Sequence, residues 1–338
     1  AVGPQITEGE DSPGVRVNVA LTQTIDLGGG SSARVAAARA GIEQATAEAE
    51  ASTRDVERAA SKAYARALWA ENRVGLAKEI EALAQENAKT AARRKQAGDA
   101  TLLELNAANG ALARARSEVK AREADRARAL GELRFLLGLE PGARIEVRGN
   151  LSDIKPPATG TAGDWLKRRP EIRALEAELA VARAEEDLAD ALAWPSLTFG
   201  AQYEFEERRV HTIQGVLGLT LPIFERSQGL GAEAAARARR IEAQLEQKRA
   251  EVRNELATST EVLTHERAAA DAFAEVGREA LKENLELGKK AFQAGEIGLP
   301  ELLSLQRELV ATQSEQTDRE LSAAFAVLDL RYAAGVSR

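Results

Sequence analysis

The 338-residue sequence contains neither cysteine nor methionine, so it has no disulfide, no thiol nucleophile and no soft sulfur ligand for a metal. Aromatic residues make up only 4% of the chain, which favours long helices in close contact over a thick globular core. No window reaches the roughly 18 consecutive apolar residues of a membrane-spanning helix. Because the start lacks an initiator methionine and a signal-peptide pattern, we expect a processed or trimmed product.

Neither acidic nor basic residues are concentrated in any one segment of the chain. The 46 basic and 53 acidic residues give a net charge of −7 and are intermixed along the chain, so we expect no nucleic-acid partner. The two histidines are far apart, with His211 in a predicted loop and His265 in a predicted helix. Neither a zinc ligand set, a nucleophile with its base, nor a phosphate loop is evident. We therefore expect no catalytic residue, no metal site and no cofactor.

The most informative feature of the sequence is an internal repeat. The stretch QAGDATLLEL at 96–105 has a near-copy, QAGEIGLPEL, at 293–302, and AAARA at 36–40 recurs at 234–238. The matching stretches are 197 and 198 positions apart, so the two halves of the chain align along the segment between these stretches with a single one-residue deletion. The chain is therefore a tandem duplication, and the predicted unit is a strand, a long helix, a glycine-containing turn and a returning helix.

The segment from Arg39 to Gly98 is predicted to be one very long helix. It contains no proline, and at about 1.5 Å per residue it would be on the order of 90 Å long. Gly98 is predicted to end it as a left-handed cap, and Asp99 is predicted to be the N-cap of the returning helix. Small apolar residues recur at alternating steps of four and three, which is coiled-coil spacing: Val56, Ala60, Ala63, Ala67, Ala70, Val74 and Ala77.

Three short runs alternate between apolar and polar residues instead, which predicts strands at 15–27, 197–205 and 213–223. Their lengths suit strands that cross an outer membrane with apolar side chains toward lipid and polar ones toward a wet interior. An ordinary sheet with one face on a core is the alternative. Because no partner layer for the strands is evident in the chain, we expect them to pair with strands of other copies.

Several motifs resemble those of the TolC-type outer-membrane efflux proteins. LPIFERSQG at 221–229 resembles the family's LPxFxRxxG strand exit, and DLGG at 26–29, followed by SAR at 32–34, is similar to the exit of the other repeat. The helix start RPE at 169–171, which leads through Trp194-Pro195 into a strand, is also similar. The resemblance implies a mainly α fold with a small β part. Very long antiparallel coiled-coil helices would form an α-barrel tunnel, and strands of three copies would form a shared outer-membrane β-barrel.

The resemblance also implies how the chain is divided. The expected segments are an extracellular loop remnant at 1–14, a β-barrel strand at 15–28, a first helical hairpin of the tunnel at 29–138, a linker or equatorial segment at 139–165, a helix at 166–194, a β-barrel hairpin at 195–224 and a second helical hairpin of the tunnel at 225–338. Family members carry a further helix and a first strand before the segment that begins at Val15. We therefore expect the chain to be N-terminally truncated.

In the family, two helix-turn-helix tips form the periplasmic end of the tunnel, where an adaptor docks and the pore constricts. Their motif is approximately G-x-x-S-x-x-D-L, and this sequence departs from it with Glu in place of Asp at both tips and with Gly298 in place of the hydroxyl. Arg94 is expected to pair with an acid across the tip. Helix capping and dipole complementation are the alternative roles for these charged residues. The candidate docking and gating residues are Arg94, Gly98, Asp99, Thr101, Glu104, Leu105, Gly295, Glu296, Gly298, Glu301 and Leu302.

The function implied by the resemblance is that of an exit duct in the outer membrane of a Gram-negative bacterium. The implied partners are two further copies in a homotrimer, a periplasmic adaptor, an inner-membrane pump of the resistance-nodulation-division type, and outer-membrane lipid. The DLGG exit and the Ala/Arg/Glu-rich composition most resemble the cobalt, zinc and cadmium efflux branch. Drugs, solvents or secreted polypeptides are alternative cargoes, and a soluble coiled-coil scaffold is an alternative function.

Overall fold

A computed structural model describes residues 16–157, 162–206, 210–276 and 278–336. The loop predicted at 1–14 lies outside these ranges. The chain is mainly helical with one small sheet, as predicted. In order, its elements are β1 (Arg16–Asp26), α1 (Gly30–Ala97), α2 (Leu102–Leu136), a 3-10 turn (Leu151–Asp153), α3 (Ala162–Lys167), α4 (Pro170–Leu192), β2 (Ser196–Glu206), β3 (Val210–Thr220), α5 (Gln228–Val276), α6 (Arg278–Ala294) and α7 (Leu299–Ala333).

The chain divides into two compact units. The first contains residues 1–50 and 170–250, and it includes all three described strands. The second contains residues 51–169 and 251–338, and it includes both tips of the helical hairpins. Within the described ranges, no helix combines the length and the apolar character needed to cross a membrane.

The sheet of the first unit is antiparallel, with the strands in the order β1-β2-β3. Leu21 lies opposite Ala201, and Ala201 lies opposite Gly215, so the odd-numbered positions of all three strands share one face. That face exposes the large apolar side chains Leu21, Ile213 and Leu217. The opposite face is polar, and on it the Thr24 and Thr198 hydroxyls share a hydrogen bond of 2.9 Å. The alternation predicted from the sequence is therefore confirmed.

The helices of the second unit pack through small side chains, because alanine lets two backbones approach closely. Ala63, Ala67 and Ala70 of α1 are buried against Leu130 and Leu133 of α2. The predicted coiled-coil positions from Ala63 to Ala77 are buried, but Val56 at the start of the pattern is about half exposed. The heptad pattern thus marks the packed face of the helix from Ala63 onward.

One helix start differs from the sequence-based prediction. The helix predicted to begin at residue 166 is two helices, because α3 begins at Ala162 inside the predicted linker and ends at Lys167. The second start is at Pro170, as the RPE sequence predicts. Proline cannot donate the backbone hydrogen bond that would join the two helices, so α4 begins afresh.

Candidate functional site

The two hairpin tips have the same backbone conformation. Gly98 and Gly295 adopt left-handed φ values of +88° and +78°, which confirms the conformation predicted for Gly98. The Asp99 amide donates to the Arg94 carbonyl at 2.9 Å, and the Glu296 amide donates to the Ala291 carbonyl at 2.8 Å. Hydrogen bonds therefore recur between residues that the 197-position offset relates, so the duplication seen in the sequence is also a duplication of structure.

The first tip starts its returning helix with a capping box. Thr101 is the N-cap; its hydroxyl accepts a hydrogen bond from the Glu104 amide, and the Glu104 carboxylate accepts one from the Thr101 amide at 2.7 Å. The prediction that Asp99 is the N-cap is wrong. The Asp99 amide is already bonded to the end of α1, so Asp99 belongs to the C-terminal cap of that helix. Its side chain is exposed at the turn.

The second tip starts its helix differently. Gly298 is the N-cap, with backbone angles close to those of Thr101, and Pro300 follows in the first turn, where the fixed φ of proline suits a helix. A Cβ atom on Gly298 would lie only 2.7 Å from the Glu301 carboxylate. The carboxylate thus folds back over the helix start, as the Glu104 carboxylate does over Thr101 at the first tip. Leu299 and Leu302 are buried beneath this turn.

Arg94 joins the two hairpins. Its guanidinium donates to the Asp99 carbonyl at 3.2 Å and to the Phe292 carbonyl at 3.4 Å, and it lies 5.0 Å from the centre of the Phe292 ring. These partners are backbone oxygens and an aromatic face, so the predicted pairing with an acid across the tip is wrong. The contact itself does cross from the end of α1 to the end of α6.

A shared apolar core lies behind the tips. Its buried members come from four helices, so the two hairpins of the second unit pack on each other. These members are Ala88, Ala91, Ala108, Leu285, Phe292, Leu299, Leu302 and Leu309, and the candidate residue Leu105 packs against them while partly buried.

Two buried amides beside this core escaped the sequence analysis. Asn87 on α1 is 6% exposed and Gln306 on α7 is 9% exposed. Asn87 lines a cavity of about 10 Å³ together with Phe292 and Leu302. A polar residue in a helical sequence normally indicates a solvent-exposed face, so the sequence alone does not indicate that these two amides are buried.

Charged groups near the tip pair locally. On α6, a hydrogen bond from Lys289 and the charge of that ammonium lower the pKa of the Glu286 carboxyl. The remaining candidate acids at the turns, Asp99 and Glu296, have exposed side chains. The tips therefore present negative charge to solvent at equivalent positions of the repeat.

The histidine prediction needs one correction. His211 lies in β3 opposite Phe205, not in a loop, and its Nδ1 is 2.7 Å from the Tyr203 hydroxyl. Within the described part of the chain, no group of three metal-binding side chains comes together.

Comparison with known sequences identifies similar proteins. The profile of the family described as outer membrane efflux protein matches residues 6–139 and 162–336. The chain is 27% identical over 288 residues to the cobalt-zinc-cadmium resistance protein CzcC of Cupriavidus metallidurans, a match that covers 84% of this chain and 69% of that protein. It is 32% identical over 262 residues to the protein CyaE of Bordetella pertussis, covering 71% of this chain and 54% of CyaE.

Solved structures show the same fold at low sequence identity. A crystal structure of CusC superposes with a TM-score of 0.83 at 20% identity, covering 100% of this chain and 81% of that one. The open state of the Neisseria gonorrhoeae MtrE outer membrane channel gives a TM-score of 0.84, also at 20% identity, with 99% and 80% coverage.

Proposed function

The chain belongs to the outer membrane efflux protein family, so it is a transport protein of the outer membrane and not an enzyme, and we propose that it forms the exit channel of a tripartite system that exports heavy-metal cations. Its partners in this proposal are two further copies, a periplasmic adaptor and an inner-membrane pump of the resistance-nodulation-division type. The observation that carries the proposal is the duplicated tip, whose two turns share one backbone geometry. Three copies would present six equivalent turns at one end of a tunnel.

The sheet supports the placement of the strands in the outer membrane. One of its faces exposes leucine, isoleucine and phenylalanine side chains, and the other carries threonine, glutamine and glutamate. An apolar face suits contact with outer-membrane lipid, and a polar face suits a hydrated interior. In the proposed trimer, β1 and β3 pair with strands of neighbouring copies, which leaves no sheet edge exposed.

The tips support gating and adaptor docking. Each turn places an exposed acid directly after its left-handed glycine, and each returning helix carries a glutamate in its first turn. Carboxylates brought together by several copies would attract cations and repel one another, so the constriction would respond to how closely the tips approach. Arg94 would restrain each pair of tips through its contacts with Phe292 and Asp99.

The similarity to CzcC supports metal cations as the cargo. We expect a strain that lacks the parent gene to become selectively sensitive to zinc, cobalt, cadmium or copper and to accumulate the metal, because the exit step is lost. Growth inhibition and metal content measured by mass spectrometry test this, with the returned gene as the control. Sensitivity confined to dyes and antibiotics would contradict the proposal that the cargo is a metal cation. Unchanged tolerance to every compound would contradict the proposed role in export.

The gating role is tested by replacing Glu104 and Glu301 together. Glu→Gln removes the charge but keeps a side chain that can complete a capping box, whereas Glu→Ala removes both. If the carboxylates act as charges, both double variants should reduce cation selectivity, measured as the reversal potential in a planar bilayer under a salt gradient. A change in the alanine variant alone would show that the residues act as helix caps. Glu146→Gln, which changes an exposed acid in the connecting segment, is the matched control.

A further inference from the structure

The apolar face of the sheet carries one basic side chain. At the described odd-numbered positions of β1, β2 and β3, the only polar side chains are those of Gln23, Tyr203 and His211. Gln23 donates to the carbonyl of the adjacent Thr24. A basic group that faces lipid costs much stability in the middle of the hydrocarbon and little near its edge. The depth of His211 in the membrane therefore decides which groups it can contact.

His211 lies at the end of the sheet that is far from the helices. Because β2 follows α4 and β3 leads to α5, the helices join the sheet at the end marked by Ser196 and Thr220. His211 pairs with Phe205 at the opposite end. The 11 residues of β2 rise roughly 25 Å when the strand is tilted by about 40°, which matches the apolar band of a membrane barrel. Since the helices extend into the periplasm, His211 lies at the level of the outer-leaflet headgroups.

Two aromatic side chains hold the imidazole of His211 in place. Its Nδ1 atom lies 2.7 Å from the Tyr203 hydroxyl, and the centres of the two rings are 6.0 Å apart. The centre of the Phe205 ring lies 5.0 Å from that of the imidazole. These contacts restrict rotation of the imidazole, although the side chain is exposed at the surface of the sheet. Binding through this ring therefore costs little side-chain entropy.

The second nitrogen of the ring is available to a ligand. Within the described part of the chain, the Nε2 atom of His211 has no hydrogen-bond partner. When the Tyr203 hydroxyl donates to Nδ1, the proton of the neutral imidazole is on Nε2, and the imidazolium form also carries a proton there. At headgroup depth the strongest acceptors are phosphate oxygens, because hydrogen bonds to an anion are charge-assisted. The geometry thus suits a phosphate group that belongs to a lipid.

We propose that His211, oriented by Tyr203, binds a phosphate group of lipid A, the phosphorylated glycolipid anchor of lipopolysaccharide in the outer leaflet. Nε2 donates to a phosphate oxygen, and the acyl chains of the same lipid cover Ile213 and Leu217, which are each 79% exposed. One ligand thus satisfies the polar and the apolar parts of this surface. This inference rests on the proposed placement of the sheet in the outer membrane, and it specifies which lipid contacts the outer end of the sheet.

Binding of lipid A to the protein purified in detergent tests the proposal. Native mass spectrometry over a range of lipid concentrations gives the dissociation constants of bis-phosphorylated lipid A and of its dephosphorylated form. The protein should bind the phosphorylated form about tenfold more tightly, which is the effect of one hydrogen bond to a charged group. His211→Phe keeps an aromatic ring but removes both nitrogens, so it should lose this preference. His211→Gln keeps a donor and should retain part of the preference.

Two further variants separate orientation from general effects on the sheet. Tyr203→Phe keeps the ring but removes the hydroxyl that orients the imidazole, so it should weaken the preference for the phosphorylated lipid. Gln23→Leu is the matched control, because it removes the other exposed polar side chain of the same face near the end that joins the helices. Its preference should be unchanged. Circular dichroism verifies that each variant is folded.

The outcomes are distinct. Equal binding of the two forms of lipid A, or an unchanged preference in His211→Phe, would overturn the site. Displacement of lipid A by inorganic phosphate alone, or equally tight binding of phosphatidylglycerol, would overturn its assignment to the outer-leaflet lipid. Conductance in a planar bilayer separates this inference from the proposed function. A conducting protein without the preference loses only the lipid site, whereas a protein that neither inserts nor conducts overturns both.

Discussion

Replacing Arg169 with alanine is expected to lower the free energy of unfolding by roughly 3 kcal/mol, near the lower end of the range for breaking a buried ion pair. The guanidinium donates to the carbonyls of Tyr332 and Ala333 at 3.1 and 3.2 Å and pairs with Glu255 at 3.2 Å. Only 3% of its side chain is exposed. It therefore satisfies carbonyls at the C-terminal end of α7, which have no partner within that helix.

The neighbouring arginine, Arg58, is already bonded to a partner of its own. The Tyr332 ring already lies beneath Arg58 at 4.2 Å, and the Tyr332 hydroxyl donates to Asp55 at 2.6 Å. Burial disfavours the charge on Arg58, but the hydrogen bond and charge of Asp329 outweigh that effect and raise the Arg58 pKa. Arg58 is thus held by its own acid partner and is not available to replace Arg169.

Urea unfolding followed by circular dichroism measures the effect. Arg169→Met keeps much of the aliphatic packing but removes the charge, so a loss shared by the methionine and alanine variants is due to the polar contacts. Arg148→Ala is the control, because its ion pair with Glu146 is exposed on both sides and its loss should change stability by no more than about 0.5 kcal/mol. Equal stability of the Arg169 and Arg148 variants would show that the buried contacts contribute nothing.

Replacing Gly98 and Gly295 with valine is expected to distort both tips. At φ values of +88° and +78°, a Cβ atom clashes with the backbone, and a β-branched side chain is the least tolerated. The strain should be on the order of 1–2 kcal/mol per site, and because it is local it should appear as faster amide hydrogen exchange at 94–105 and 291–302. In the proposed assembly, binding of the adaptor should fall by about tenfold or more.

Two further variants make this experiment specific. Gly110→Val places the same side chain in α2, at a glycine without positive φ and with open space around it, so exchange should not increase there. Asparagine tolerates the left-handed conformation better than valine, so Gly98→Asn with Gly295→Asn should restore much of the protection. Unchanged exchange and unchanged adaptor binding in the double valine variant would contradict the role of these turns.

The sequence predicted the elements that depend on periodicity. Alternation located the three strands to within a few residues, and coiled-coil spacing predicted α1, because burial on one face repeats at a fixed interval. The N-cap at Asp99 was wrong although Thr101 and Glu104 form a capping-box pattern that was visible in the sequence. Both Asp and Thr are good caps, and only the hydrogen bond that commits Asp99 to the end of α1 decides between them.

Contacts between distant segments could not be predicted in this way. Arg94 and Phe292 are 198 positions apart, and nothing local indicates that a backbone oxygen and a ring, not an acid, are the partners of this arginine. The buried state of Asn87 depends on α6 and α7 lying against it. The repeat places Asn87 and Asn284 at the same distance before Gly98 and Gly295, but only the structure shows that Asn87 is buried and Asn284 is exposed.

The pairing of β1 with β2 has a consequence for the order of folding. The Thr24 and Thr198 hydroxyls meet although 174 positions separate them, whereas β2 and β3 are adjacent in the chain. Pairing across so long a loop carries a large closure entropy, and contacts of high sequence separation form slowly. The β2–β3 hairpin should therefore form early, and β1 should join only after the intervening helices have condensed, which makes closure of the sheet a late kinetic step.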